Sequence, residues 1–222
     1  MRKIYSFALV LVIVVSWGCK SGKDAGIETN AGPTPGEMWR TSSPDQITPP
    51  NHIDGKLLQS SPDAARAPYD RQFLDTMIAN HQLAVQMAQL ASVRAEHPLT
   101  KALARWIISD HESEISRMMA WRKMWYSGEP TARNIEMPGM RQSMTDLDLN
   151  KLETLEGKAF DAEFVRQIIL HHEGGVELAK DALLHSEKKE IRNLSALRIK
   201  SQKSEIGKLH ELEATLGGNP KK

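Results

Sequence analysis

Apolar residues recur at steps of three and four along two long stretches of this chain. Phe73, Met77, His81, Ala84, Ala88 and Ala91 fall on one stripe, and Leu99, Leu103, Ile107, Met118, Trp121 and Trp125 fall on a second. That period predicts amphipathic helices rather than strands. His97-Pro98 separates the two, because the residue before a proline is driven out of the helical region. Further on, Phe164, Ile168, His172, Gly175 and Ala179 make a third stripe. A fourth helix is expected from an N-cap signal at Ser186-Glu187 to about Leu216, where Gly217-Gly218 stops it.

The stripes are copies. A shift of 91 residues superimposes Asp70 on Asp161, Phe73 on Phe164, Ile78 on Ile169, His81 on His172, Val85 on Val176 and Ala88 on Ala179. The register holds through Leu103 on Leu194, Ser113 on Ser204, Glu114 on Glu205 and Ile115 on Ile206, so a whole helical hairpin is duplicated. Two hairpins, each with one apolar face, bury those faces by packing together, which predicts an all-α, four-helix bundle. Repeat one covers 69–126, a linker 127–157 and repeat two 158–216. Pro130, Pro138 and Gly139 make the linker long and irregular, and it is expected to run over one end of the bundle with a short helix between Asp146 and Gly157.

The N-terminus reads differently. Arg2 and Lys3 precede an apolar run from Ile4 to Val15, too short to span a bilayer of about 30 Å but the right size for a signal-peptide core. Gly18-Cys19 then resembles the end of a bacterial lipoprotein signal, which implies residues 1–18 as signal peptide and lipidation of Cys19; ordinary signal cleavage nearby is the alternative. Residues 19–68, rich in Gly, Pro, Ser, Thr and Asn, are expected to form a flexible tether that holds the domain away from a membrane surface. The expected place is the bacterial cell envelope, facing the periplasm or the exterior.

Charge and cysteine content narrow the chemistry. With 29 Lys+Arg against 28 Asp+Glu and 5% aromatic residues, the 222-residue chain has neither the field nor the stacking surface for nucleic acid. Cys19 is the single cysteine, which excludes a disulfide within the chain and any cysteine-rich metal cluster. What stands out instead is polarity on the inward stripes. His81 lies one turn after Met77, and His172 follows Ile168 in the same way. His111, Glu114, Gln202 and Glu205 fall on the inward side of the return helices. Buried groups of this kind must be paired, hydrated or metal-bound. Imidazole and thioether together suit copper. The competing reading is a hydrogen-bonded structural core, with Met87 and Met118 as packing.

Two segments carry a resemblance to a known family. Asp70-Arg-Gln-Phe73-Leu-Asp-Thr-Met77-Ile-Ala-Asn80-His81-Gln-Leu-Ala-Val-Gln-Met87-Ala88, and again Phe160-Asp161-Ala-Glu-Phe164 leading to His171-His172-Glu-Gly-Gly-Val-Glu-Leu-Ala179, resemble domain-of-unknown-function family 305. The Met137-Pro-Gly-Met140 link, Met144 and the ending Glu114-Ile115…Met118…Trp121…Trp125 are similar too, so the resemblance covers about residues 69–213. It implies a ferritin-like bundle, usually exported, with copper bound in some relatives through His and Met. Carried over to this chain, the metal candidates are His81, Met77, His172, His111, His171, Met87, Met118 and Glu114. Asn80 stands in place of the first His of the first pair, Ile168 and Leu178 replace the methionines of the second motif, and His111 stands where Gln is usual. Repeat two is therefore poor in thioether ligands. Met137, Met140 and Met144 are expected as a flexible methionine cluster, and His171 as a flank of the site.

Enzymatic readings find little support. No Glu-x-x-His occurs for a di-iron centre, no His-Glu-x-x-His for zinc hydrolysis, and neither a Gly-x-Ser-x-Gly elbow nor a phosphate loop. The expectation is a lipid-tethered envelope protein that binds a metal ion, most readily copper, for sequestration or handling rather than catalysis. A structural or protein-interaction bundle is the alternative.

Overall fold

Pro68 fixes the backbone at the entry to the first helix, and the computed structural model, which describes residues 53–217, starts α1 on the next residue, Tyr69–Arg94. α2 spans Pro98–Tyr126, with Pro98 in the first turn, where no amide donor is needed, and the His97 ring accepting from the Leu99 amide at 3.2 Å. A six-residue α3, Leu149–Thr154, lies within the linker. α4, Gly157–His185, and α5, Lys189–Gly217, complete the described chain. Every regular element among the described residues is helical.

α1 packs along α2, α4 packs along α5, and the two pairs meet through α1 and α4. The shared core contains Phe73, Leu74, Leu83, Leu103, Ile107, Phe160 and Phe164, all at most 1% exposed. At an order of 1.5–3 kcal/mol for each large apolar side chain removed from water, this contact is the main cohesive term.

The repeat also locks itself together through polar contacts. Asp161, in the first turns of α4, accepts from the amides of Glu96 and His97, which join α1 to α2. Its repeat partner Asp70, at the start of α1, accepts from the amide of Glu187, which joins α4 to α5. Each hairpin thus satisfies backbone donors in the turn of the other, where a helix would otherwise leave them unpaired.

The linker differs from the expectation. Instead of a mobile methionine-bearing loop over one end, it is tied to α1, where Asp75 accepts from the Ala132 amide and the Thr76 hydroxyl from the Asn134 amide. It then crosses the side of α4. A Cβ on Gly174 would lie 2.3 Å from the Gly139 carbonyl oxygen, so the two backbones meet where neither can carry a side chain, and Gly139 has φ +76°. Met137, Met140 and Met144 are buried in the core. Their apolar burial, together with a short stretch of π-helical turn at Arg141–Thr145, holds the linker down.

The tether expectation is corrected over its last part. Ile53, Leu57 and Ala64 are buried, the amides of Ile53 and Asp54 donate to Glu153 and Gln86, and Arg133 donates to the carbonyls of Lys56 and Gln59. Residues 53–68 therefore pack on the helices, because the buried Ile53, Leu57 and Ala64 give the segment an apolar side. The expected signal peptide, Cys19 and the rest of the tether lie outside the described residues.

Candidate metal centre

Four imidazoles from three helices meet in the interior. α1 supplies His81, α2 supplies His111, and α4 supplies both His171 and His172; all are buried, the last three completely. Ring centres stand 4.4 Å apart for His81 and His111, 6.2 Å for His111 with His171, 6.2 Å for His111 with His172, and 5.9 Å for His171 with His172. His111 is the hub. An imidazole bound at about 2.0–2.1 Å has its ring centre ~3.2 Å from the ion, so two rings on one ion stand roughly 4.5–6.4 Å apart. The three spacings among His111, His171 and His172 fall in that range, and His81–His111 lies just under it.

Hydrogen bonds fix what some of the rings present. His81 Nε2 lies 2.8 Å from Glu114 Oε2 and donates to that carboxylate. His171 Nε2 lies 3.0 Å from the Asn80 carbonyl oxygen, which can only accept, so this nitrogen carries the proton. In both rings Nδ1 is left as a lone pair, buried and without a hydrogen-bond partner. His172 Nε2 is 3.0 Å from Glu205 Oε2 without an aligned hydrogen bond, and His111 has no hydrogen-bond partner at either nitrogen. An imidazole that donates one N–H to a carboxylate or carbonyl and offers the other nitrogen is oriented as metal ligands are.

Three of the rings are held neutral. Burial is the main cause that lowers the pKa of His81, His111 and His171, the last to about 3. Neighbouring imidazoles and the Arg198 guanidinium act in the same sense, while the Glu114 hydrogen bond pulls His81 back. Burial alone would raise the Glu114 carboxyl; the His81 hydrogen bond and Arg198 outweigh it and keep that pKa below the ordinary carboxylate value. Neutral imidazole is the form that binds metal, so no proton has to be displaced near neutral pH.

Among the described residues no three His, Cys, Asp or Glu side chains already stand arranged around a metal ion. An ion between these rings therefore requires the side chains to turn toward it. The chemistry fits even so: six buried imidazole nitrogens have no hydrogen-bond partner, each an expensive omission in an apolar interior.

The sequence candidates separate into two groups. His81, His111, His171, His172 and Glu114 come together, and His171, expected as a flank, is as buried as its neighbour. Met77, Met87 and Met118 lie in the apolar core. Three participants carried no mark in the periodicity: Arg198, Asp110 and the Asn80 carbonyl. Arg198 Nη1 is 2.8 Å from Asp110 Oδ2 and its Nε is 3.1 Å from Glu114 Oε2. Its signal was available, since its repeat partner at a shift of 91 is the buried Ile107. Asn80 is held by the linker, its Nδ2 donating to Ser143 Oγ at 3.0 Å, so the crossing at Gly139 and Gly174 reaches His171 through two hydrogen bonds.

The model of the domain of unknown function DUF305 matches residues 70–213, and the chain belongs to that family. Similar solved structures include CopM in a Cu(I)-bound form, 34% identical over 67% of this chain and 98% of that one, with a TM-score of 0.57. CopM in a Cu(II)-bound form is 35% identical over 67% and 99%, with a TM-score of 0.56. A DUF305 protein from Streptomyces coelicolor, described as secreted, is 28% identical over 69% and 95%, with a TM-score of 0.60. No curated protein matches.

Proposed function

We propose that this chain is a copper-binding protein of the bacterial cell envelope that sequesters or hands on the ion rather than catalysing a reaction. The four long helices serve as a ferritin-like four-helix bundle of two repeated hairpins, with the ion held among His81, His111, His171 and His172. Glu114 orients His81 from behind, the Asn80 carbonyl does the same for His171, and Glu205 stands 3.0 Å from His172. The observation that carries the reading is the set of buried imidazole nitrogens left without hydrogen-bond partners on rings clustered around His111. A purely structural polar core would pair those atoms, since each orphan costs on the order of 1–3 kcal/mol. Similarity to CopM, solved with copper, supports the choice of ion. Copper held this way is withheld from open solution, the property that handling requires.

Lipidation of Cys19 tethers the bundle to a membrane, with the polar segment before residue 53 as spacer. A Cys19→Ser variant that loses labelled palmitate and membrane association supports the anchor; unchanged membrane association refutes it.

The function is tested by titrating the chain with Cu(I) and Cu(II) beside a His81→Ala/His172→Ala variant. The expected result is stoichiometric binding in the wild type, weakened at least about a hundredfold in the variant. Wild-type affinity no tighter than micromolar for either ion sinks the proposal and leaves a structural bundle.

A further inference from the structure

Arg198 on α5 is only 4% exposed. Its guanidinium stands 3.1 Å from Glu114 Oε2, the oxygen that also accepts from His81 Nε2 at 2.8 Å, so a fixed positive charge sits one carboxylate away from the imidazole cluster. Asp110 takes up part of that charge at 2.8 Å, while Arg198 Nε and Nη2 are buried without aligned hydrogen-bond partners. Ile107 occupies the corresponding position of repeat one, so the charge is one-sided and not required by the fold of the hairpin. On the solvent side, a groove of about 370 Å³ is lined by Asp110 and Glu114 from α2 and by Arg198 and Glu205 from α5, so an ion entering here meets the guanidinium together with the carboxylates.

We propose that Arg198 tunes the charge preference of the centre, weakening its hold on divalent ions more than on a monovalent ion such as Cu(I); this rests on the copper-binding reading above. Coulomb repulsion is proportional to the charge of the incoming ion, so a buried guanidinium opposes a dication twice as strongly as a monocation at the same place. Screening by salt is weak for a group so little exposed. Asp110, Glu114 and Glu205 pull in the other direction, and Arg198 offsets part of their charge. Its removal leaves the carboxylates unopposed, and divalent ions gain more than Cu(I).

The test is a set of competition titrations of the full chain in detergent with Cu(I), Cu(II) and Zn(II), comparing wild type with Arg198→Met, Arg198→Lys and Asp110→Asn. In Arg198→Met, the affinity for Cu(II) and Zn(II) relative to Cu(I) is expected to rise about tenfold or more. Arg198→Lys keeps the charge and is expected to hold the wild-type ratio within about threefold. Asp110→Asn removes a negative charge and moves the ratio the opposite way. If wild type binds copper and the ratio stays fixed in Arg198→Met, the charge-preference role is overturned while copper binding stands. If wild type binds neither copper ion tighter than micromolar, both are overturned. Should Arg198→Met fail to fold by circular dichroism, the near-isosteric, uncharged Arg198→Gln decides, and a ratio that does not rise refutes the role.

Discussion

The two repeats contribute two imidazoles each, but they seat them differently. Repeat one places one on each arm of its hairpin, His81 on α1 and His111 on α2, whereas repeat two places both on α4 as His171 and His172. At the equivalent positions stand Asn80 for His171 and Gln202 for His111. The exchange keeps four rings in one interior while dividing the other tasks. Asn80 lends its carbonyl to His171, and Gln202 lies against the bare backbone of Gly175, where a Cβ would sit 3.0 Å from its Oε1. The repeat thus supplies the scaffold, and differences such as these two, together with Arg198 against Ile107, supply the asymmetry of the centre.

The largest expected effect comes from the place where repeat two has been pared down. Leu83 of repeat one is a buried side chain, but its counterpart Gly174 touches the linker backbone. Gly174→Ala puts a methyl 2.3 Å from the Gly139 oxygen and should destabilise by about 3 kcal/mol in urea melts, whereas Leu83→Met should cost less than about 1.5 kcal/mol. Equal costs would mean that the linker does not press on α4.

Next come the two carboxylates. Glu114 serves both His81 and Arg198, while Glu205 contacts only His172 among the ion pairs described. Glu114→Gln leaves a buried guanidinium short of a counter-charge and should cost about 2–3 kcal/mol, against about 1 kcal/mol for Glu205→Gln. Thermal melts of the two metal-free variants give the comparison, and a larger loss for Glu205→Gln would contradict it.

Acid should act on both repeats, through His81 and His111 of the first and His171 of the second, whose pKa values burial lowers below the ordinary imidazole value. His171 has its folded pKa lowered to about 3 against 6.5 unfolded, so the unfolded chain binds the extra proton between those values and stability falls as pH drops below about 6.5. At pH 5 this one group accounts for about 2 kcal/mol, being about 1.5 pH units at 1.36 kcal/mol each. His171→Asn, which copies repeat one, should flatten the decline between pH 7 and pH 5 in metal-free melts. An unchanged slope would show that the ring is not held neutral.

The smallest effect lies at the turns. Asp161 accepts from two amides and Asp70 from one, so Asp161→Ala should cost about 1–2 kcal/mol and Asp70→Ala nearer 1 kcal/mol. Denaturant midpoints measured on both would test the order.

These contrasts also show what a one-dimensional reading could reach. Helix periodicity and the 91-residue shift located the inward faces, because burial of a stripe at a 3.6-residue period is a local property repeated often enough to be read. His81, His172 and Glu114 emerged with it as polar breaks in that stripe. His171 was harder, being adjacent to His172 and about 100° away around the helix, which says nothing of whether a second wall lies there; α1 supplies that wall through the Asn80 carbonyl. The linker methionines looked mobile because Pro and Gly surround them, yet Gly139 and Gly174 are small so that two backbones can touch.

By itself, the order of residues determined the helices, their duplication and which faces turn inward, since propensity, capping and periodicity act within a few residues of one another. Tertiary structure decided which of the inward groups meet, which nitrogen of each fixed ring keeps a lone pair, and that a guanidinium from α5 stands beside them. Those outcomes depend on distances between helices far apart in the chain, and on the low polarizability of a water-poor interior, neither of which is written in any local stretch.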